Sequence, residues 1–175
     1  MANGGVLSRE ELRARLDGDP PLIADWLDLD EQLQPNGFDL SLRSVSRLQG
    51  AGSLARTNAG RVLPGYEEIP FVADGFVRLE PGAYQVVFNE VVDLPPDLMA
   101  LGRPRSSLCR CGVSLVTAVW DAGYRGRSTA LLHVVNPAGF AVEKDARLLQ
   151  LVFFTLNAAT ESGYAGVYHG EHTAP

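Results

Sequence analysis

At 175 residues the chain is long enough for one domain with its own core and too short for two of ordinary size, so residues 1–175 read as a single unit. Its 46% apolar and 21% charged residues exclude disorder, and no apolar run approaches the ~18 residues of a membrane helix. Fifteen basic against 21 acidic residues, a formal charge of −6, leave no broad basic face for nonspecific nucleic-acid binding.

Met1 to Leu7 carry neither the basic nor the apolar region of a secretory signal, so a cytoplasmic protein without a nucleic-acid polymer or membrane as partner is expected. Ser8-Arg9-Glu10-Glu11 is a capping box, and Leu12 and Leu16 follow four apart, which predicts one short helix over residues 9–16 ended by Asp17-Gly18-Asp19-Pro20. Beyond it, runs rich in Val, Leu, Phe and Tyr are broken by 18 Gly and 11 Pro, the rhythm of an antiparallel sandwich or barrel. Strands are expected at Gly37 to Leu42, Phe76 to Leu79, Tyr84 to Val92, Gly112 to Ala118, Ser128 to Val135 and Leu148 to Leu156. Gln49 to Gly65 reads as a long loop or irregular hairpin. The tail, 158–175, reads as a mobile segment that carries Tyr164 and Tyr168. Cys109 and Cys111 would point to opposite faces of an extended backbone, so both read as reduced thiols. The expected fold is mostly β with a short N-terminal helix.

Charge is distributed unevenly. From Leu101 to Arg127 there are five arginines, Arg103, Arg105, Arg110, Arg125 and Arg127, and one acid, Asp121. All but one of the basic residues are arginine, Lys144 being the exception, and guanidinium forks suit phosphate oxygens. Familiar nucleotide and metal motifs fail. Lys144 lies in Glu-Lys-Asp, so there is no P-loop, and Gly50-Ala-Gly52 is followed by no helical period. His169-Gly-Glu171 comes after the Cys-x-Cys pair, the reverse of a zinc deaminase, and a structural zinc site has too few imidazoles. No Gly-x-Ser-x-Gly elbow occurs.

What remains is Arg103-Pro-Arg105-Ser106-Ser107-Leu-Cys-Arg110, whose hydroxyls, amides and guanidinium groups make either a phosphate cradle or a polar turn before a strand. Trp120-Asp121-Ala-Gly-Tyr124 then forms a turn. Asp121 either orients a water for attack on phosphorus, kept ionised by the neighbouring arginines, or merely stabilises its own Asp-x-Gly turn. Tyr124 either stacks on a sugar or base or fills the core edge.

Five stretches in order, Asn36-Gly-Phe-Asp39-Leu, Pro104-Arg105-Ser106-Ser107-Leu108, Asp121-Ala-Gly-Tyr124-Arg-Gly126, Ala146-Arg147-Leu-Leu-Gln150-Leu151 and Gly163-Tyr-Ala-Gly-Val-Tyr168-His-Gly170, resemble the motifs of the trimeric dUTPase and dCTP deaminase superfamily. The resemblance spans nearly the whole chain and is closest to the archaeal type of dUTPase. It implies a distorted β-barrel or jelly-roll and a homotrimer with active sites shared between subunits. The implied reaction is cleavage of dUTP to dUMP and pyrophosphate, with Mg2+ on the triphosphate. Carried onto this chain, Asp121 becomes the water-orienting base and Tyr124 the residue under the deoxyribose. Ser106, Ser107, Arg110 and Gln150 hold phosphates, and Arg105 braces phosphate or Asp121. Asp39 touches the metal's water shell. The backbone of Thr117, Ala118, Val119 and Trp120 reads the base, and Tyr164 and Tyr168 close over the nucleotide.

Deaminases of this superfamily carry a glutamate five residues past the last glycine of the Asp-x-Gly turn, where this chain has Leu131. Without an acid to deliver protons to the leaving amine, hydrolysis is favoured over deamination. A noncatalytic nucleotide-binding module is the third reading. It is kept open by a tail without the Arg-, Gly- and Ser-rich motif, by His169 where Gln is usual, and by a hairpin that offers no Asn side chain to the base.

Overall fold

Ser8 opens the first helix by reciprocal capping: its hydroxyl accepts from the Glu11 N–H at 3.3 Å, and the Glu11 carboxylate accepts from the Ser8 N–H at 2.8 Å. Helix α1 (Arg9–Leu16) thereby satisfies two free donors and turns Leu12 and Leu16 into the core. The structure, a computed structural model, describes residues 5–173; residues 1–4 of the N-terminal segment and 174–175 of the tail lie outside them. Extended chain dominates thereafter. β1 (Ile23–Ala24), the single turn α2 (Leu29–Gln32), β2 (Leu33–Gln34) and the long β3 (Gly37–Gln49) are followed by β4 (Gly65–Glu68), β5 (Phe76–Leu79), β6 (Gly82–Asp93) and β7 (Leu98–Pro104). Then come α3 (Ser106–Arg110), β8 (Val113–Val116), β9 (Val119–Trp120), β10 (Arg125–Val134), β11 (Phe140–Glu143) and β12 (Arg147–Thr155).

Ten strands form one sheet ordered β8-β10-β6-β3-β12-β7-β9, with β1 beside β6 and β2 and β4 beside β3; β5 and β11 pair separately. The curl originates in β3. Phe38 to Ser41 pair with β12, whereas Leu42 to Arg47 pair with β6, and the register slips between Leu42 and Ser44. One strand thus belongs to two ladders and turns the sheet on itself, giving the expected β-barrel-like architecture. Gly37 permits the first ladder, because a Cβ there would lie 2.4 Å from the Leu151 carbonyl oxygen. Among the described residues no helix is long and apolar enough to cross a membrane.

Several elements depart from the sequence pattern. α2 and α3 are single turns, too short for a helical period to show. β4 is exposed throughout, and β7 ends in Gly-Arg-Pro, so neither has the apolar alternation of a strand. β10 begins at Arg125 rather than Ser128, and β3 continues to Gln49 through a mixed run in which Val45 and Ser46 are buried. The segment between β3 and β4 is an irregular hairpin, closed by a Ser53–Val62 bridge. Cys109 and Cys111 are free and exposed, but they sit in α3 and at its C-cap, not on extended chain.

A buried polar group braces β3. Tyr84, Val86, Phe88, Glu90 and Val92 alternate onto one buried face of β6. Glu90 accepts hydrogen bonds from Gln32 Nε2 (2.6 Å), Ser41 Oγ (2.6 Å) and the Ser41 N–H (2.9 Å). Gln32 Nε2 also donates to the Asp39 carbonyl at 2.9 Å, tying α2 to the strand beside Asp39. Burial raises the Glu90 pKa above the ordinary value, against the opposing effect of the Ser41 and Gln32 bonds.

Glu90→Ala leaves these donors unpaired in the core and is expected to cost about 3–5 kcal/mol, measured by urea unfolding. In the wild type the folded carboxyl holds its proton more tightly than the unfolded one. Its contribution to stability is therefore full below the ordinary value of 4.5 and is lost as pH rises through the raised folded value. Glu90→Gln does not titrate there, so the stability of the wild type relative to this variant should be more favourable near pH 4.5 than at neutrality.

Candidate active site

β8 pairs with β10 through Val113 to Val116, whereas β9 pairs with β7 through Val119 and Trp120. Thr117 and Ala118 lie in neither ladder. Beside them opens a cavity of about 500 Å3, within the range of small-molecule sites. Val116 to Asp121, Tyr124 and the β10 residues Ser128 to Leu131 form much of its wall. Leu48, Tyr66 and Gln85 come from β3, β4 and β6, and Tyr164, Tyr168 and Glu171 come from the tail. The residues assigned from sequence to the nucleoside and to water activation, Thr117, Ala118, Val119, Trp120, Asp121, Tyr124, Tyr164 and Tyr168, thus line one cavity. Lining residues that the sequence reading assigns no role include Leu48, Tyr66, Gln85, Ser128 and Glu171. Of these, only Glu171 had a local signal, as an acid next to the tail motif.

The turn that carries Asp121 is closed by the Tyr124 N–H donating to the Asp121 carbonyl at 3.0 Å. Gly123 has φ +85°, and a Cβ there would lie 3.0 Å from Gly163 Cα and from the Tyr164 nitrogen. The tail packs on this glycine, the Tyr164 N–H donating to the Ala122 carbonyl at 2.8 Å. It then runs beside β10: the Gly170 N–H donates to the Arg125 carbonyl at 2.7 Å, and the Arg127 N–H donates to the Glu171 carbonyl at 3.0 Å. The Tyr124 and Tyr164 rings meet edge to face at 5.7 Å, and the Arg61 guanidinium stands 5.2 Å from the Tyr168 ring centroid. Tyr124 is buried, and its hydroxyl donates to Glu171 Oε1 at 2.9 Å. Burial pushes the Tyr124 phenol far above its ordinary pKa, and the Glu171 carboxylate acts in the same direction. Burial also raises Glu171, opposed by the bond from Tyr124 and by His172.

Asp121 is exposed to the cavity. The arginines expected around it have other partners within the chain: Arg105 pairs with Asp39 at 3.2 Å, Arg125 with Asp93 at 3.2 Å and Arg127 with Asp25 at 2.5 Å. Proximity in sequence does not make these arginines partners of Asp121, because Arg105 at the start of α3 and Arg125 and Arg127 on β10 each meet a carboxylate from another part of the chain.

The expected phosphate residues lie outside the cavity within one chain. Arg105, Ser106, Ser107, Arg110 and Gln150 are absent from its lining; Arg105 and Gln150 stand beside Asp39 instead, and Ser106, Ser107 and Arg110 follow Arg105 in α3. Gln150 stands opposite Asp39 in the β12–β3 ladder and opposite Arg103 in the β12–β7 ladder, which aligns all three in one row. Asp39 is buried between Arg105 and Arg147, the second guanidinium at 3.6 Å. Burial raises its pKa, while Arg105 and Arg147 oppose that shift. Arg103 and Arg110 form no ion pair among the described residues, so their charge is available to an anion. No group of three His, Cys, Asp or Glu that could cage a metal occurs among the described residues. A divalent cation at this row would have to take most of its oxygen ligands from elsewhere than these side chains.

The curled sheet and its cavity place the chain in the fold class of dCTP deaminase. It superposes on the crystal structure of 2'-deoxycytidine 5'-triphosphate deaminase from Agrobacterium tumefaciens with a TM-score of 0.67 and 25% identity, over 87% of this chain and 49% of that one. The family model described as dCTP deaminase-like matches residues 6–156, and the chain belongs to that family. It is 48% identical over 168 residues to the probable deoxyuridine 5'-triphosphate nucleotidohydrolase of Methanosarcina mazei, covering 96% of this chain and 98% of the relative. The corresponding Archaeoglobus fulgidus protein is 48% identical over 167 residues, 95% of this chain and 97% of its own. The deoxyuridine 5'-triphosphate nucleotidohydrolase of Methanocaldococcus jannaschii is 35% identical over 142 residues, 81% of this chain and 89% of its own.

Gly123→Ala forces a left-handed alanine against the tail backbone and is expected to cost about 1–2 kcal/mol. Hydrogen exchange should show faster exchange of the Tyr164 amide, and unchanged protection would mean the turn does not hold the tail.

Proposed function

We propose that the chain is a dUTP diphosphatase that hydrolyses dUTP to dUMP and pyrophosphate, clearing dUTP from the nucleotide pool and supplying dUMP for dTTP synthesis. The observation that carries this reading is that one cavity gathers Asp121, Tyr124 and the ladder-free segment Thr117–Ala118. Near full-length likeness to archaeal relatives named for that activity supports it. The peptide groups of Thr117 to Trp120 read the uracil edge. The buried Tyr124 ring packs under the deoxyribose and leaves no room for a 2'-hydroxyl, while Tyr164 and Tyr168 cover the nucleoside. Asp121 accepts a hydrogen bond from a water and aims it in line at the α-phosphorus. A new P–O bond forms, the bond from the α-phosphorus to the oxygen bridging it to the β-phosphorus breaks, and the water proton passes to Asp121. No covalent intermediate is required.

Because the phosphate residues do not line the cavity of their own chain, a neighbouring subunit of a homotrimer supplies Arg105, Ser106, Ser107, Arg110 and Gln150 to each site. Mg2+ accompanying the triphosphate neutralises charge on the leaving pyrophosphate. Asp39, buried between Arg105 and Arg147 within one chain, would meet the ion only through its water shell.

Deamination of dCTP is the second reading, since the superposed solved structure is a deaminase. It needs a carboxyl to carry protons to the leaving amine. The β10 residues on the cavity, Ser128 to Leu131, bring none.

Asp121→Asn should lower dUTP turnover by roughly 10²–10⁴-fold while nucleotide binding persists, followed by pyrophosphate release and calorimetry. Retained turnover would remove Asp121 from the mechanism. Co-expressing Asp121→Asn with Arg110→Ala, each inactive alone, should restore about a quarter of wild-type activity, because randomly mixed trimers rebuild sites from two intact halves. Sites confined to one chain would stay inactive.

A further inference from the structure

Glu171 lines the cavity and has no part in the hydrolysis described above. It ends a chain of side-chain hydrogen bonds. Trp120 Nε1–H donates to Ser128 Oγ at 2.5 Å, Ser128 Oγ lies 3.3 Å from the Tyr124 hydroxyl, and that hydroxyl lies 2.9 Å from Glu171 Oε1. The direction of the chain is set at the indole, which can only donate. Ser128 Oγ accepts that proton and offers its own to the Tyr124 oxygen. The phenol proton is then free for one further acceptor, so the chain closes only on an oxygen such as that of Glu171. Trp120, Ser128 and Tyr124 are all buried, and an open end there would carry the cost of an unpaired polar group.

The backbone delivers Glu171 to this position. It forms a parallel bridge with Gly126, and its carbonyl accepts from the Arg127 N–H at 3.0 Å. The tail therefore reaches the phenol through a side chain whose place is set by main-chain pairing.

We propose that Glu171 is a positioning residue: its carboxylate, closing the Trp120–Ser128–Tyr124 chain, fixes the Tyr124 ring against the deoxyribose, so that docking of the tail is part of discrimination against ribonucleotides. This inference rests on the reading of Tyr124 given under Proposed function. Three residues that wall the cavity are held in one orientation from the tail, and the tail acts without touching the reacting phosphate.

The test uses the full-length protein. Glu171→Ala should lower kcat/KM for dUTP about tenfold and narrow the dUTP over UTP preference by a similar factor. Glu171→Gln, whose amide oxygen also accepts the phenol proton, should recover most of the loss. Tyr124→Phe removes the donor, so the double variant Tyr124→Phe/Glu171→Ala should be no worse than the poorer single variant. Hydrogen exchange of the free proteins gives a readout independent of turnover. The Tyr164 and Gly170 amides should lose protection in Glu171→Ala and keep it in Glu171→Gln.

Additive losses, an unchanged dUTP over UTP preference, or equal protection in both variants would overturn the proposal. So would ammonia release from dCTP that disappears in Glu171→Gln, because Glu171 would then be a proton carrier. A wild-type chain that binds dUTP without turnover would defeat the hydrolase reading alone, and the exchange data would still decide whether Glu171 holds Tyr124.

Discussion

The change of partner along β3 places both sets of functional residues. Its first half is hydrogen bonded to β12 and its second to β6, so one strand carries the sheet around a corner. Asp39 and Ser41 share one face of the first half, each with a buried polar duty. Asp39 meets Arg105 and Arg147, and Ser41 meets Glu90. Leu48, near the other end of the strand, reaches the cavity wall. A carboxylate as deeply buried as Glu90 is tolerated there because its hydrogen bonds come from α2 and β3, the segments that must stay aligned at the corner. Packed leucine would fill the space without specifying this alignment.

The same geometry separates the chemistry. Ala100, the partner of Trp120, and Arg103 lie on opposite faces of β7, because three residues of strand reverse the side-chain direction. The cavity thus holds aromatic residues and Asp121, while the Arg103–Gln150–Asp39 row faces elsewhere. Charge follows this division. Arg125 and Arg127 are engaged with Asp93 and Asp25, which leaves the cationic potential around α3, where Arg103 and Arg110 have no carboxylate. A chain of formal charge −6 therefore keeps one local surface suited to a polyanion. The residues assigned to the phosphates and those assigned to the nucleoside are thus separate within one chain, and the sharing between subunits proposed above rests on that separation.

Local motifs were legible in the sequence because they rest on local physics. The capping box of α1 is satisfied by residues three apart, and the turn at Asp121 depends on one left-handed glycine. The resemblance of the motifs added the nucleoside residues, and these line a single cavity. Long-range consequences were less accessible. Five arginines close together in sequence suggest an ionised pocket around Asp121, yet Arg105, Arg125 and Arg127 are taken up by Asp39, Asp93 and Asp25, carboxylates distant in sequence that the fold brings to them. Tyr66 and Leu48 had no signal, since an exposed edge strand such as β4 carries no apolar alternation. Glu171 was visible as an acid next to the tail motif and in a spacing that failed a zinc template. Its meaning depends on Tyr124 and Ser128, both more than forty residues earlier in the chain.

The tail's composition becomes intelligible in this setting. It brings no arginine of its own, and the cation at its edge comes from the hairpin between β3 and β4, where Arg61 stacks on Tyr168. That hairpin has almost no periodicity because its requirement is reach and not burial. Main-chain bonds from Gly170 and to Glu171 hold the tail along β10, the Tyr164 ring leans on Tyr124, and a donor-only indole at the other end fixes which way every hydroxyl between them points. A short glycine-rich segment can therefore form a well-defined wall. Its order derives from β10 and the Asp121 turn, through main-chain bonds to Ala122, Arg125 and Arg127, and these contacts bring Tyr164, Tyr168 and Glu171 to the cavity.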